Sequence, residues 1–455
     1  MKIEEIADVT PLEAFLAIRH LPFPFLLSGG VVPLLRRYSY VGAAPYLRIE
    51  TRQGTTEAIL SSQRVAFADP FSALSTIMAE YGPNHEEEGP FPFSGGLVGY
   101  LSYDLKSFIE SILYRASDLG TADCLLGLYD TIFVYDHTEQ RGYVVSSERT
   151  DGTLNGADLR ALLSSPPLKG ALSTMAFHGD CAFTSNMSRK EYLARFEKVK
   201  GYISAGDIYQ VNLSQRLSLE WRGDPFSLYS MLISNDPAAF SSFMDCGPYQ
   251  IISNSPERFL KVSGREIETC PIKGTKARGV GEDEDRAIQE SLREDRKELA
   301  EHIMIIDLER NDLGRICETG SVTVEEAMRI ETLPHLHHMV STVKGRLRKG
   351  VTAAECLRVS FPGGSITGAP KVRAMEIIDE VEPTPRGIYT GAIGYIDLSG
   401  NMDMAMAIRT AITTENRLYI NVGGGIVADS VPEREYDETL LKADAFLRLL
   451  TGNRV

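Results

Sequence analysis

The chain has 455 residues, 43% of them hydrophobic and 24% charged, which suffices for a substantial core and, by length alone, for about three domains. A net charge of −15 argues against nucleic acid or an anionic membrane as the main partner, so an anionic ligand must meet locally placed cations or a metal. Six scattered cysteines without C-x-x-C or zinc spacing, no signal-like start and no 18-residue apolar run imply a cytosolic protein with reduced thiols and no membrane span.

Residues 1–165 read as short mixed elements. A helix is expected over 12–18 and strands over 23–27, 37–41 and 46–51. The glycine-rich stretch 93–103 suits a strand against which another backbone packs closely. Residues 124–135 and 142–147 look like a hairpin. No catalytic constellation stands here; the region reads as scaffold or as the seat of a small-molecule regulatory pocket near Phe25 to Tyr40. The linker candidate is 151–173, with Ser164-Ser-Pro-Pro167, and the chain divides into 1–165, a linker at 166–184 and a catalytic region at 185–455.

After the linker, 188–205 is a helix with Ser188 as N-cap, Glu191 completing a capping box, and Tyr192, Phe196, Val199 and Ile203 as its apolar stripe. Residues 207–219 alternate strictly. The polar face of that strand either meets solvent or lines a polar cavity with Gln210 pointing in. A hairpin then runs through 258–262, a Ser263-Gly264 turn and 266–272, and delivers Lys273 before Gly274-Thr275. Lys273 is either a solvated edge charge or a nucleophile at a pocket rim; the second role requires its pKa to fall from the ordinary value of about 10.4. Glu257 lies one hairpin arm upstream, and Gly274-Thr275 offers N–H groups and a hydroxyl to an anion.

A long helix is expected over 285–310, with Leu292, Leu299, Ile303 and Ile306 buried and Glu294, Glu298 and Glu301 in an acidic row. That row is either a solvated face or a carboxylate site for Mg²⁺. His335, His337 and His338 precede a strand at 339–343, without the partners a zinc site needs. The loop and helix of 361–380 lack the P-loop spacing, which argues against ATP. Residues 405–411 read as a strand on which Arg409, flanked by alanines, has room to clamp a carboxylate. Residues 418–422 run into Gly423, Gly424 and Gly425, whose backbone N–H groups can reach a ligand. The last helix starts near Ser430. It puts Glu435, Glu438 and Lys442 on one stripe and Tyr436, Leu440, Ala443, Leu447 and Leu450 on a buried one. If Glu298/Glu301 and Glu435/Glu438 face each other they make a Mg²⁺ site; otherwise they are solvated charge.

Nearly all of 185–450 resembles the chorismate-utilising enzymes, and within them the component I enzymes that aminate chorismate at the para position. The matching segments include Gly206-Asp-Ile-Tyr-Gln-Val-Asn, Ser255-Pro-Glu-Arg-Phe259, Pro271-Ile-Lys-Gly-Thr275, Asp307-Leu-Glu-Arg-Asn-Asp312, His338-Met-Val-Ser341, the 361–380 loop and helix, and 423–442. Arg37-Tyr-Ser-Tyr and Gly42-Ala-Ala-Pro45 extend the match more loosely. The resemblance implies one large α+β unit of antiparallel β-sheets packed together with helices outside, rather than three domains.

It also implies roles. Glu301 and Glu438 hold Mg²⁺, with Glu298 and Glu435 in a second layer. Tyr389, Arg409, Lys442 and the Gly423–Gly425 backbone grip the carboxylates of chorismate. Glu257 is the general acid on the departing 4-hydroxyl, with His338 and Ser365 beside it. Gln210 sits where the hydroxylating relatives carry a lysine that activates water. Lys273 stands where anthranilate synthases typically have alanine, and implies covalent attack at ring C2 followed by ammonia at C4. A chain ending at Val455 without a G-x-C-x-G elbow is expected to take ammonia from a separate glutamine amidotransferase subunit, component II, in a heterodimer. Anthranilate synthase component I is the alternative within enzymes, and a non-catalytic tryptophan-sensing subunit the alternative outside them.

Overall fold

The computed structural model describes residues 1–32, 35–82, 89–147, 154–164, 183–332 and 336–451. His335 and most of the expected 166–184 linker lie outside them. Within the 151–173 linker candidate, Gly156–Ser164 is a helix whose Leu159 and Leu163 are buried.

Two twelve-stranded sheets carry the fold, and every strand pairing is antiparallel. The first runs from Lys2–Ile6 through Arg141–Ser146, Thr131–Asp136, Tyr38–Gly42, Phe25–Leu27, Phe240–Asp245, Gln250–Ser255, Thr410–Thr414 and Arg417–Ile426 to Gln210–Glu220 and Thr184–Ser185. The second holds Ile272–Ala277, Leu336–Arg346, Glu266–Cys270, Arg258–Ser263, Met402–Met406, Ala392–Asp397, Gly96–Leu101, Cys124–Tyr129 and the Leu47–Phe67 meander. Each sheet therefore uses strands from both sides of residue 165.

The inner faces meet in one core, where Phe25, Tyr40, Ile132, Met244 and Ile412 of the first sheet pack with Val98, Tyr100, Leu125, Ile393 and Tyr395 of the second. Helices cover both outer faces. Pro11–Ile18, Pro225–Asn235 and Asp444–Thr451 cover the first; Pro70–Tyr81, Arg296–Gly314 and Ala353–Ser360 cover the second. This is the expected α+β arrangement of packed antiparallel sheets with helices outside.

Local chemistry accounts for many boundaries. The Ser188/Glu191 capping box forms, and Gly206 at φ +81° ends that helix in the left-handed conformation only glycine adopts freely. The expected close backbone approach falls at Gly99, where a Cβ would lie 1.8 Å from the Leu125 carbonyl oxygen. No helix among the described residues is long and apolar enough to cross a membrane.

Several expected elements are divided. Residues 124–135 form two strands in different sheets, parting at Asp130, and only Thr131–Asp136 makes the hairpin with Arg141–Ser146. The 207–219 strand begins at Gln210, and its polar face is buried, so it does not meet solvent. The expected helix at 285–310 is two, Glu282–Arg293 and Arg296–Gly314, because Asp295 caps the second through the N–H groups of Lys297 and Glu298. Its buried face is His302, Ile305, Ile306, Glu309 and Leu313, whereas Ile303 is 50% exposed. The expected 405–411 strand is a crossover: Met402–Met406 belongs to one sheet and Thr410–Thr414 to the other, with Arg409 at φ +49° between them. The last helix likewise breaks at Lys442-Ala443.

Candidate active site

Lys273 lies on Ile272–Ala277. Pro271 separates that strand from Glu266–Cys270, and the two share one edge of Leu336–Arg346. Lys273 is thus inside a strand rather than at a hairpin's end. Gly274, at φ +72°, makes a bulge that shifts the register between the Lys273–Met339 and Thr275–His338 pairs. A Cβ at Gly274 would come within 2.8 Å of Leu292 and 3.4 Å of Glu298 Oε2. The bulge also sets the Thr275 hydroxyl 2.8 Å from His338 Nδ1.

Glu257 is buried and accepts the Ser365 hydroxyl hydrogen at 2.5 Å. Burial pushes its carboxyl up from 4.5 to about 7, against the Ser365 bond, the positive charge of Lys273 and a backbone bond from Ile272. The neighbouring Gly364 N–H donates to Glu309 at 3.0 Å, which fixes the turn that presents Ser365. His338 is buried as well. Desolvation, with the nearby Arg409 charge, pulls it down to about 3, so its ring is neutral at pH 7.

The two glutamate pairs face one another. Glu298 and Glu301 project from Arg296–Gly314, Glu435 and Glu438 from Pro432–Leu441. Burial raises Glu298 and Glu301, with the Lys273 charge opposing it in both, and the Glu438 charge adds to the rise at Glu298. Glu438 is lowered by Lys442, which donates to it at 2.8 Å and to the Gly423 carbonyl at 2.9 Å. Lys442, expected on a substrate carboxylate, is here bound to the protein. Lys297 Nζ stands 3.2 Å from Glu435 and 3.8 Å from Glu301.

This donor set suits Mg²⁺, a hard cation that takes oxygen ligands. Glycines leave space beside it: a Cβ at Gly274 or Gly424 would lie 3.4 Å from Glu298 or 3.5 Å from Glu435. The Lys297 ammonium is a stand-in cation at the same seam. As placed, no three carboxylates, imidazoles or thiolates among the described residues gather at ligating distance, since Lys297 and Lys442 engage Glu301, Glu435 and Glu438.

Gly423, Gly424 and Gly425 continue the Arg417–Ile426 strand beside Gln210–Glu220. A Cβ at Gly425 would meet Gln210 Nε2 at 2.9 Å and Lys273 Nζ at 3.6 Å, so the carboxamide and the amine converge on one backbone position. Gln210 is fully buried, and neither polar atom of its side chain has a partner among the described residues. It points inward. Arg409 reaches the region from the inter-sheet crossover, where its carbonyl accepts the Asn254 N–H and its charge is felt at His338. Tyr389 precedes Thr390, held at φ +61°, and stacks near Arg386.

Sequence reasoning missed three groups. Lys297 was signalled only by its i,i+4 spacing to Glu301. Glu309 sits in the acidic 307–312 segment without any mark of burial. The fully buried Glu382–Arg386 ion pair, 2.7 Å long, ties the Asn212 and Ile366 carbonyls together, but the intervening Pro-Thr-Pro hides its spacing from helical reading.

Residues 31–448 match the family of chorismate binding enzymes. The chain belongs to the chorismate-binding enzymes. Among its relatives in that family, it is 40% identical over 440 residues to aminodeoxychorismate synthase component 1 of Salmonella typhimurium, covering 96% of this chain and 95% of that one. It is 37% identical over 468 residues to anthranilate synthase component 1 of Acetivibrio thermocellus, covering 98% and 94%. The crystal structure of anthranilate synthase component I from Streptococcus pneumoniae superimposes with a TM-score of 0.81 at 34% identity, over 90% of this chain and 91% of that one. A menaquinone-specific isochorismate synthase from Escherichia coli shares the fold at a TM-score of 0.75 and 18% identity. In this chorismate-binding enzyme, the family match spans every site residue just described, from Gln210 to Lys442.

Proposed function

We propose that this chorismate-binding enzyme aminates chorismate to 4-amino-4-deoxychorismate with the enolpyruvyl group retained, taking ammonia from a glutamine amidotransferase subunit. The observation that carries this reading is Lys273 Nζ beside Gly425, across from Gln210 and within the field of Glu257. A primary amine at the ring distinguishes para amination from the anthranilate reaction, for which relatives typically present alanine there.

In this reading the Lys273 ammonium first gives up a proton to solvent, and the free amine forms a bond to ring C2 while the bond from C4 to its hydroxyl breaks. The ring double bonds shift between the two carbons. Glu257, held at about 7 by burial, is available as an acid near neutral pH and gives its proton to the departing hydroxyl, which leaves as water. Ser365 orients that carboxyl. Ammonia then bonds to C4, the double bonds shift back, the C2–N bond breaks to restore the Lys273 amine, and the proton lost by the new C4 ammonium returns to the Glu257 carboxylate. Neutral His338 and the Gly423–Gly425 backbone offer hydrogen-bonding groups without adding net charge. Arg409 and Tyr389 bind substrate carboxylates. Gln210, unlike a lysine, does not deprotonate water at the ring, so water is a poor nucleophile here. Mg²⁺ would be held by Glu301 and Glu438, with Glu298 and Glu435 outside them, and when bound supplies Lewis-acid neutralisation of the ring carboxylate.

The test is to incubate purified chain with chorismate, Mg²⁺ and ammonium and identify the product by mass and by para or ortho amine. Anthranilate or an isochorismate-type product as the main species refutes the proposal. The anthranilate reading has one support of its own, the comparable identity to relatives of that name, and the same assay decides it.

A further inference from the structure

Lys297 takes no part in the reaction set out above, yet its ammonium lies where that reading requires a cation. It leaves Arg296–Gly314 one residue before Glu298, 3.8 Å from Glu301 on its own helix and 3.2 Å from Glu435 on Pro432–Leu441. Among the described residues this is the only ion pair between those two helices. The carboxylates it spans are, respectively, one assigned to Mg²⁺ and one assigned to its outer layer.

Without any cation, four glutamates brought to one seam repel one another. Lys297 relieves that repulsion with a single positive charge on a flexible four-carbon stem, and its side chain is 39% exposed, so the ammonium has solvent to move into. An ammonium 3.8 Å from Glu301 meets the like charge of a Mg²⁺ that this carboxylate ligates, and is driven off it. The metal takes oxygen ligands at about 2.1 Å, far tighter than the N···O spacings present. We propose that Lys297 is a built-in place-holder. Its ammonium bridges Glu301 and Glu435 in the metal-free enzyme, keeps the two helices in register, and swings off Glu301 when Mg²⁺ arrives. Lys297 therefore stabilises the empty site and weakens its divalent-ion affinity. This rests on the assignment of Mg²⁺ to Glu301 and Glu438.

The experiment is calorimetric titration of EDTA-stripped enzyme with MgCl₂ in the absence of chorismate, together with thermal unfolding in EDTA and in Mg²⁺. Lys297→Met is expected to bind Mg²⁺ about tenfold tighter or more, because a like charge has been removed beside the ion. Its Tm in EDTA should fall by about 3 °C and be recovered in Mg²⁺, so that its metal-induced rise exceeds that of wild type. Lys297→Arg, which keeps the charge, should bind Mg²⁺ within about threefold of wild type. Should the methionine variant fail to fold, Lys297→Gln, which retains a donor for Glu435, carries the same affinity test. A Kd in Lys297→Met or Lys297→Gln equal to or weaker than wild type overturns the place-holder while leaving the metal assignment standing. If wild type itself shows neither Mg²⁺ heat nor a Tm shift, the metal assignment fails and the place-holder falls with it.

Discussion

Replacing Glu257 by glutamine removes a proton-binding group but keeps an acceptor for the Ser365 hydroxyl, so burial sets the consequence. In the folded protein this carboxyl titrates at about 7, against 4.5 when unfolded. The folded state thus binds the proton more tightly, and the stabilisation this confers is fully present below pH 4.5 and is lost as the pH rises through about 7. At about 1.4 kcal/mol per pH unit, the gap corresponds to about 3 kcal/mol of folding free energy that wild type loses and the variant does not. Urea unfolding of both proteins at pH 4.5, 6 and 8.5 measures it. Glu257→Gln should gain about 3 kcal/mol on wild type across that range. Its turnover of chorismate should nevertheless fall by about two to four orders of magnitude, and wild-type kcat/KM should decline above about pH 7. Stability curves that run parallel, within about 0.5 kcal/mol, would show that the buried carboxyl is not the titrating group and would remove the basis for its acid role.

Lys273→Arg keeps the charge but not the nucleophile, and should depress para amination by about three orders of magnitude or more, as should Lys273→Ala. Wild type exposed to chorismate without ammonia should show a mass increase on the Lys273 peptide, which a guanidinium cannot give. Glu301→Gln and Glu438→Gln should each lose most activity at ordinary Mg²⁺ without unfolding the protein, and should lose the Mg²⁺-induced rise in Tm, read by steady-state kinetics and thermal melts. Near-normal turnover in either would separate these helices from the metal. Glu382→Leu leaves Arg386 buried and unpaired and should cost about 3–5 kcal/mol in urea unfolding, more than replacing both residues by apolar ones. Gly99→Ala, with its methyl 1.8 Å from the Leu125 carbonyl oxygen, should prevent the second sheet from closing and leave little soluble protein.

What the chain revealed in advance was local chemistry. The Ser188 capping box and the close backbone approach at Gly99 each act over a few residues and lie where the spacing implied, whereas Lys273-Gly274-Thr275 falls inside a strand instead of at a hairpin's end. What it hid depends on partners far away in sequence. The run Met404–Ala411 alternates like one strand, but the sheets claim its two ends separately and force Arg409 into a left-handed turn at the crossover. Period-2 patterning cannot register a change of sheet, since both halves are buried. The 285–310 helix failed for a related reason. Continuous amphipathic spacing concealed Asp295, which ends one helix's pattern by capping the next.

The same distinction bears on how two activities divide one fold. Relatives named for para and for ortho amination align along nearly the whole chain at 37–40% identity, so core packing and sheet order do not separate them. The proposed difference lies in side chains that meet the ring. Here one backbone position, Gly425, brings the candidates together, because its missing Cβ admits Gln210 from one strand and Lys273 from another sheet. Neither residue is informative alone. A buried glutamine without partners is destabilising in isolation, and a strand lysine is ordinary. Under the proposed reaction, set against the same glycine, the first would withhold a base from water and the second would offer an amine to carbon. That pairing, rather than either residue, carries the proposed choice of nucleophile.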